Sequence, residues 1–71
     1  MVEVKEIQRL IRLEIHEVVL PNEPISKRAK DSLELMYLIQ AIENEYEVNL
    51  PDDQLNQLTP EKIVEIINAN H

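Results

Sequence analysis

The sequence predicts an all-α fold: a small four-helix bundle of three main helices and one short one. Three observations predict it. Apolar residues recur at helical spacing in three stretches, Pro, Asp or Thr-Pro signals punctuate the stretches, and no apolar–polar alternation runs long enough for a useful strand. At 71 residues the chain is expected to form one domain spanning 1–71, near the lower size limit for folding without disulfide or metal staples.

The first helix is expected from Val2 to Val18. Val4, Ile7, Ile11, Ile15 and Val18 form its buried stripe, Leu10 flanks it, and Leu13 lies well off it. Pro21 and Pro24 end this helix and open a loop reaching Lys30, with Ile25 as its anchor onto the core. Asp31 begins the second helix, which continues to Tyr46. Asp at the N-cap with Glu34 three residues on is a capping box, in which each side chain satisfies an orphaned backbone donor. Tyr46, Val48 and Leu50 alternate across a short extended exit, and Pro51 then starts a brief third helix around Asp52–Leu58. Thr59-Pro60 supplies an N-cap and a favoured first helical residue for the fourth helix. That helix runs to Ala69 and packs through Ile63, Val64, Ile66 and Ile67. With no glycine in the chain, any left-handed backbone must be adopted by a residue with a Cβ, at a cost.

The second helix is apolar on two opposite sides. At about 100° per residue, Leu35, Leu38, Ile39, Ile42 and Tyr46 fall on one side, and Leu33, Met36, Tyr37 and the neutral Gln40 on the other. A domain this small buries only one side in its own core. The other is an acid-rimmed apolar strip with Ser32 at its N-terminal end, and such a strip calls for a partner.

Charge points the same way. The net charge is −7, and Asp31–Glu61 holds eight acids with no Lys or Arg, whereas residues 1–30 hold five acids against six bases. The acidic segment repels nucleic acid and anionic lipid and favours basic protein surfaces. No apolar run approaches the ~20 residues of a membrane span. Glu3, Lys5 and Glu6 interrupt any signal-peptide core, so a cytoplasmic protein is expected. There is no Cys, hence no disulfide, thiolate-bound metal or cysteine nucleophile, and His16 and His71 are too few and too far apart for a metal site.

Catalysis is disfavoured. Ser26 and Ser32 are the only serines, and neither has a His or Lys at a spacing that suggests a nucleophile–base pair. Ser32 draws attention for another reason: it stands at the first position of a helix, where free backbone N–H groups and the positive end of the dipole favour a phosphate. Asp-Ser-Leu-Glu taken alone reads as an ordinary helix start.

The tetrapeptide is not alone. Asp31-Ser32-Leu33, the helix end Ala41-Ile42-Glu43-Asn44-Glu45-Tyr46, the exit Val48-Asn49-Leu50-Pro51-Asp52-Asp53, and Thr59, Ile63, Val64 and Ile67 stand at mutually consistent spacing. In these pieces the chain resembles the acyl carrier proteins, the four-helix phosphopantetheine-attachment domains of fatty-acid and polyketide synthesis. The resemblance implies a non-enzymatic carrier, with 4′-phosphopantetheine attached covalently to Ser32 and acyl groups held on it as thioesters. It also implies a phosphopantetheinyl transferase and synthase or acyl-transferring enzymes with basic surfaces as partners of a monomeric carrier. In that reading Asp31 caps the helix and aids docking of the transferase. Leu33, Met36 and Tyr37 make apolar contacts, and Glu34 and Glu43 supply charge.

Two departures from the family pattern stand out. Arg28-Ala29-Lys30 replaces the usual Leu-Gly-x before the serine, and Tyr37 stands where many members carry Glu. The rival readings are an aminoacyl, peptidyl or D-alanyl carrier, or a helical adaptor that uses the same strip with Ser32 unmodified.

Overall fold

The computed structural model describes residues 1–70, so His71 lies outside the described residues. Three α-helices form: α1 (Val4–Ile15), α2 (Ser32–Tyr46) and α3 (Pro60–Ala69). Two 3₁₀ turns join them, Ile25–Lys27 before α2 and Asp52–Gln57 before α3, and the described residues contain no strand. The all-α class and the helix order are as the sequence predicts. The short third helix is 3₁₀ rather than α, and the Ile25–Lys27 turn falls inside the predicted loop.

Helix α1 is the shared neighbour of α2 and α3, while the two 3₁₀ turns pack on each other. Ile7, Ile11, Leu38, Ile42, Ile63 and Ile67 are fully buried in one core cluster, which Ile25, Val19 and Leu58 from the connecting segments join. The anchor role read for Ile25 is thus what the fold shows. The chain ends are stitched as well: Asn68 Oδ1 accepts from the Val2 N–H at 3.0 Å, and its Nδ2 donates to the Val2 carbonyl at 3.2 Å.

The expected Val2–Val18 span of α1 needs correction. The helix stops at Ile15 because His16 turns left-handed (φ 59°) and sends its N–H back to the Arg12 carbonyl at 2.9 Å. Beyond that point the helical period no longer applies. Val19 takes the buried place and Val18, expected in the stripe, is 61% exposed. Helix α2 ends the same way, with Glu47 at φ 53° and its N–H on the Glu43 carbonyl. These two residues take the left-handed conformation that glycine would adopt without steric cost, each at roughly 1–2 kcal/mol.

The predicted capping box at α2 is also displaced by one residue. Asp31 Oδ1 accepts from the Glu34 N–H at 2.8 Å as expected, but Glu34 Oε1 accepts from Lys30 N–H at 2.7 Å, not from Asp31. Asp31 is fully extended (φ −158°, ψ −178°), which swings the preceding peptide into reach of Glu34. A reciprocal bond of the expected kind occurs at α1 instead, where Glu6 Oε2 accepts from the Glu3 N–H at 2.7 Å. Thr59 Oγ1 caps α3 by accepting from the Lys62 N–H at 3.1 Å.

The excess of acids in the second half bears on stability. The ion pairs among the described residues all lie between Glu3 and Arg28, so the acids from Asp31 to Glu61 have no cationic partner there. Nor do the described residues contain a cluster of three or more groups able to hold a metal ion. Added cations should therefore stabilise by screening rather than by site binding, the Debye length falling from ~10 Å at 0.1 M to ~3 Å at 1 M. The melting temperature is expected to rise with added NaCl and with millimolar Mg²⁺, without a saturating step at stoichiometric metal. Thermal melts followed by circular dichroism check this. A flat or falling melting temperature would mean the acids do not repel one another in the fold.

Candidate functional site: the start of α2

Ser32 is the first residue of α2 and is exposed. Of the amides in the opening turn, Glu34 N–H goes to Asp31 Oδ1 and Leu35 N–H to the Asp31 carbonyl at 3.1 Å. Among the described residues, no acceptor takes the Ser32 or Leu33 N–H. The helix thus presents two free donors and the positive end of its dipole beside the Ser32 hydroxyl, an arrangement that suits a phosphodiester on that oxygen.

The loop before it is held from inside. Glu23, with only 8% of its surface exposed, accepts from Leu20 N–H at 3.2 Å and from Arg28 Nε at 3.1 Å through Oε1, and meets Lys27 Nζ at 3.7 Å through Oε2. It was not among the residues singled out from sequence. The signal available was an acid between two prolines with Lys27 and Arg28 four and five residues on, but only the closed loop brings them together. Lys27 and Arg28 are thereby drawn to Glu23, and Lys30 is the member of that basic triplet with no ion pair among the described residues. Ala29, at the usual glycine position, needs no left-handed backbone. It is half-buried against the core, and its N–H reaches the Ile25 carbonyl at 3.2 Å, an α-type bond that closes the end of the 3₁₀ turn.

The Arg28 hydrogen bond, then the Leu20 N–H, hold the Glu23 carboxyl below its ordinary value of 4.5. A carboxylate with a depressed folded pKa adds stability that is full above its unfolded value and is lost as pH falls through the folded one. In Glu23→Gln the melting temperature is expected to drop at neutral pH and to depend less on pH below about 4.5 than in the parent. Thermal melts of both proteins across the acid range check this. Parallel pH curves would remove Glu23 from the acid response.

The second apolar side of α2 is open as the wheel predicts: Leu33 is 78% exposed, Met36 57% and Tyr37 59%. Tyr37 shares a depression with Glu14 of α1, and the nearby carboxylate raises its phenol above the ordinary value. Glu14 is a neighbour that sequence reasoning missed. Glu34 and Glu43 both spend oxygens on the backbone: Glu34 holds Lys30 N–H, and Glu43 Oε2 accepts from Leu50 N–H at 2.8 Å, tying the extended exit segment to α2. Beside the strip, α2 and the second 3₁₀ turn enclose an open groove lined in part by Leu33, Met36, Ile39, Glu43, Val48 and Leu55.

An exposed serine thus opens the second helix of this helical domain, next to an apolar strip. Residues 4–67 match the family model described as phosphopantetheine attachment site, and the chain belongs to that family. Its domains are sites of covalent 4′-phosphopantetheine attachment, are not enzymes, and work with phosphopantetheinyl transferases and acyl-handling enzymes. No curated protein and no solved structure matches the chain significantly. No helix among the described residues is long and apolar enough to cross a membrane.

Proposed function

We propose that Ser32 is the attachment residue and that residues 1–71 act as one monomeric, cytoplasmic acyl carrier domain. The observation that carries this reading is the exposed Ser32 hydroxyl at the first position of α2, beside two uncommitted backbone donors and within the matched segment. Ser32 contributes the oxygen of the phosphodiester; Asp31 and Glu34 hold the helix start in shape, so that the hydroxyl is offered from an ordered backbone. The arm supplies the thiol that this Cys-free chain lacks, on which cargo rides as a thioester.

Leu33, Met36 and Tyr37 supply apolar contact for the partners, and Asp31, Glu34 and Glu43 meet their basic residues. The transferase and the synthases of fatty-acid, polyketide or related biosynthesis are those partners. An acyl cargo, rather than an aminoacyl, peptidyl or D-alanyl one, is supported by Asp31 standing directly before Ser32. Intact mass of the protein isolated from its native host tests the proposal. A mass gain of one arm, with acyl adducts released by hydroxylamine, is expected. The bare polypeptide mass would favour the adaptor, and amine-bearing adducts would favour an aminoacyl carrier.

A further inference from the structure

The outer face of α1 has an opposite character to α2. Lys5, Arg9 and Arg12 fall within about 60° of one another on the helix, over roughly 10 Å of its length. All three are exposed. Glu3 lies 3.8 Å from Lys5, but among the described residues no carboxylate comes within ion-pair distance of Arg9 or Arg12.

Between them is a shallow depression lined by Lys5, Gln8, Arg9, Arg12 and Val18. Its apolar member is fixed in place. Gln8 Nε2 donates to the Val19 carbonyl at 2.8 Å, and with Val19 fully buried, Val18 is turned outward beside the three cations. Leu13, 69% exposed, lies on the other side of Arg9 and lines the next depression rather than this one.

We propose that this face of α1 is a docking surface for a short acidic helix of a partner protein, one carrying leucines beside its carboxylates. Charge complementarity selects an acid, and Val18 selects an apolar neighbour for it. The length from Lys5 to Arg12 matches two turns of such a helix. A broad polyanion fits less well. Glu6 and Glu45 line the next depression along, together with Arg9 and Leu13, so a bilayer plane or a nucleic acid would meet carboxylates at the edge of the basic strip. A narrow helix would not.

The proposal does not rest on modification of Ser32, which lies on another helix. It gives the protein two faces of opposite sign: α2 for basic enzymes, and α1 for an acidic partner that stays bound while α2 is in use.

The probe is a synthetic helical peptide with Glu and Leu at i, i+3, i+4 and i+7 along one face, titrated into the isotope-labelled full chain at low salt. Amide shifts are expected at residues 5–20 and not along α2. The double variant Arg9→Glu/Arg12→Glu should weaken binding about tenfold, two lost exposed ion pairs at ~0.7 kcal/mol each. Val18→Ser, or a peptide with Leu replaced by Ser, should weaken it severalfold. Both protein variants change exposed residues, and they should accept the arm from coenzyme A at the parent rate. Shifts confined to α2, or no shifts, would overturn the proposal. So would equal binding by the Ser-substituted peptide, or equal shifts with phosphatidylglycerol vesicles, either of which would reduce the face to a generic anion surface.

Discussion

Ser32→Ala is expected to abolish covalent loading outright, while the fold stays intact. Incubation of the parent with coenzyme A and a broad-specificity phosphopantetheinyl transferase should add one arm, seen as a single mass step. The Ser32→Ala protein should show none at any time point. The contrast is all-or-none because the hydroxyl oxygen is the atom that would join the phosphate, and the described residues hold no thiol to replace it. Alanine is the best helix former and Ser32 is exposed, so the substitution leaves α2 and its Asp31 cap in place. Ser26 is the natural control. Its hydroxyl donates to the Asn56 carbonyl at 3.3 Å, tying the two 3₁₀ turns together, and Ser26→Ala should load like the parent. An arm on Ser32→Ala, or none on the parent, would remove Ser32 from the attachment role and favour the adaptor.

The two faces of α2 were legible from sequence because burial there follows the helical period alone. Leu33 and Leu35 are two residues apart, yet 78% and 7% exposed. The cap residues Asp31 and Thr59 were legible for a similar reason, since a side chain bonding two or three residues ahead is a local event.

Where the reading departed, the deciding interaction is short or non-local. His16 ends α1 in a left-handed turn that no Gly or Asn announces, and adjacent valines at 18 and 19 allow either to go inward once the helix has stopped. Three residues of 3₁₀ at Ile25–Lys27 are too few to show a period. Glu23 becomes a buried hub only after the loop has closed on Ile25 N–H to Leu58 carbonyl (2.9 Å) and Glu61 N–H to Pro21 carbonyl (3.0 Å). These contacts span tens of residues, and nothing in the local pattern encodes them. The outward turn of Val18, on which the second face depends, was hidden for the same reason.

Truncating the two sides of α2 should separate folding from docking. Ile42 is fully buried in the core, and Ile→Ala at such sites removes both transfer free energy and packing, at about 2–5 kcal/mol. A 71-residue domain has roughly 4–11 kcal/mol to lose, so Ile42→Ala should remove a large fraction of its stability or unfold it near body temperature. Met36, 57% exposed on the opposite side, should cost no more than about 0.5 kcal/mol as Met36→Ala. Tyr37→Ala should cost slightly more, because it also removes the phenol that faces Glu14; Tyr37→Phe isolates that contact. Urea unfolding followed by circular dichroism reads all four variants on one scale, and a shift in midpoint at constant slope reports stability itself. The same Met36→Ala and Tyr37→Ala proteins, still folded, should then bind a partner enzyme more weakly than the parent. Should Met36→Ala instead lower the midpoint as far as Ile42→Ala, the strip would be part of the core, and docking would have to be sought elsewhere on the molecule.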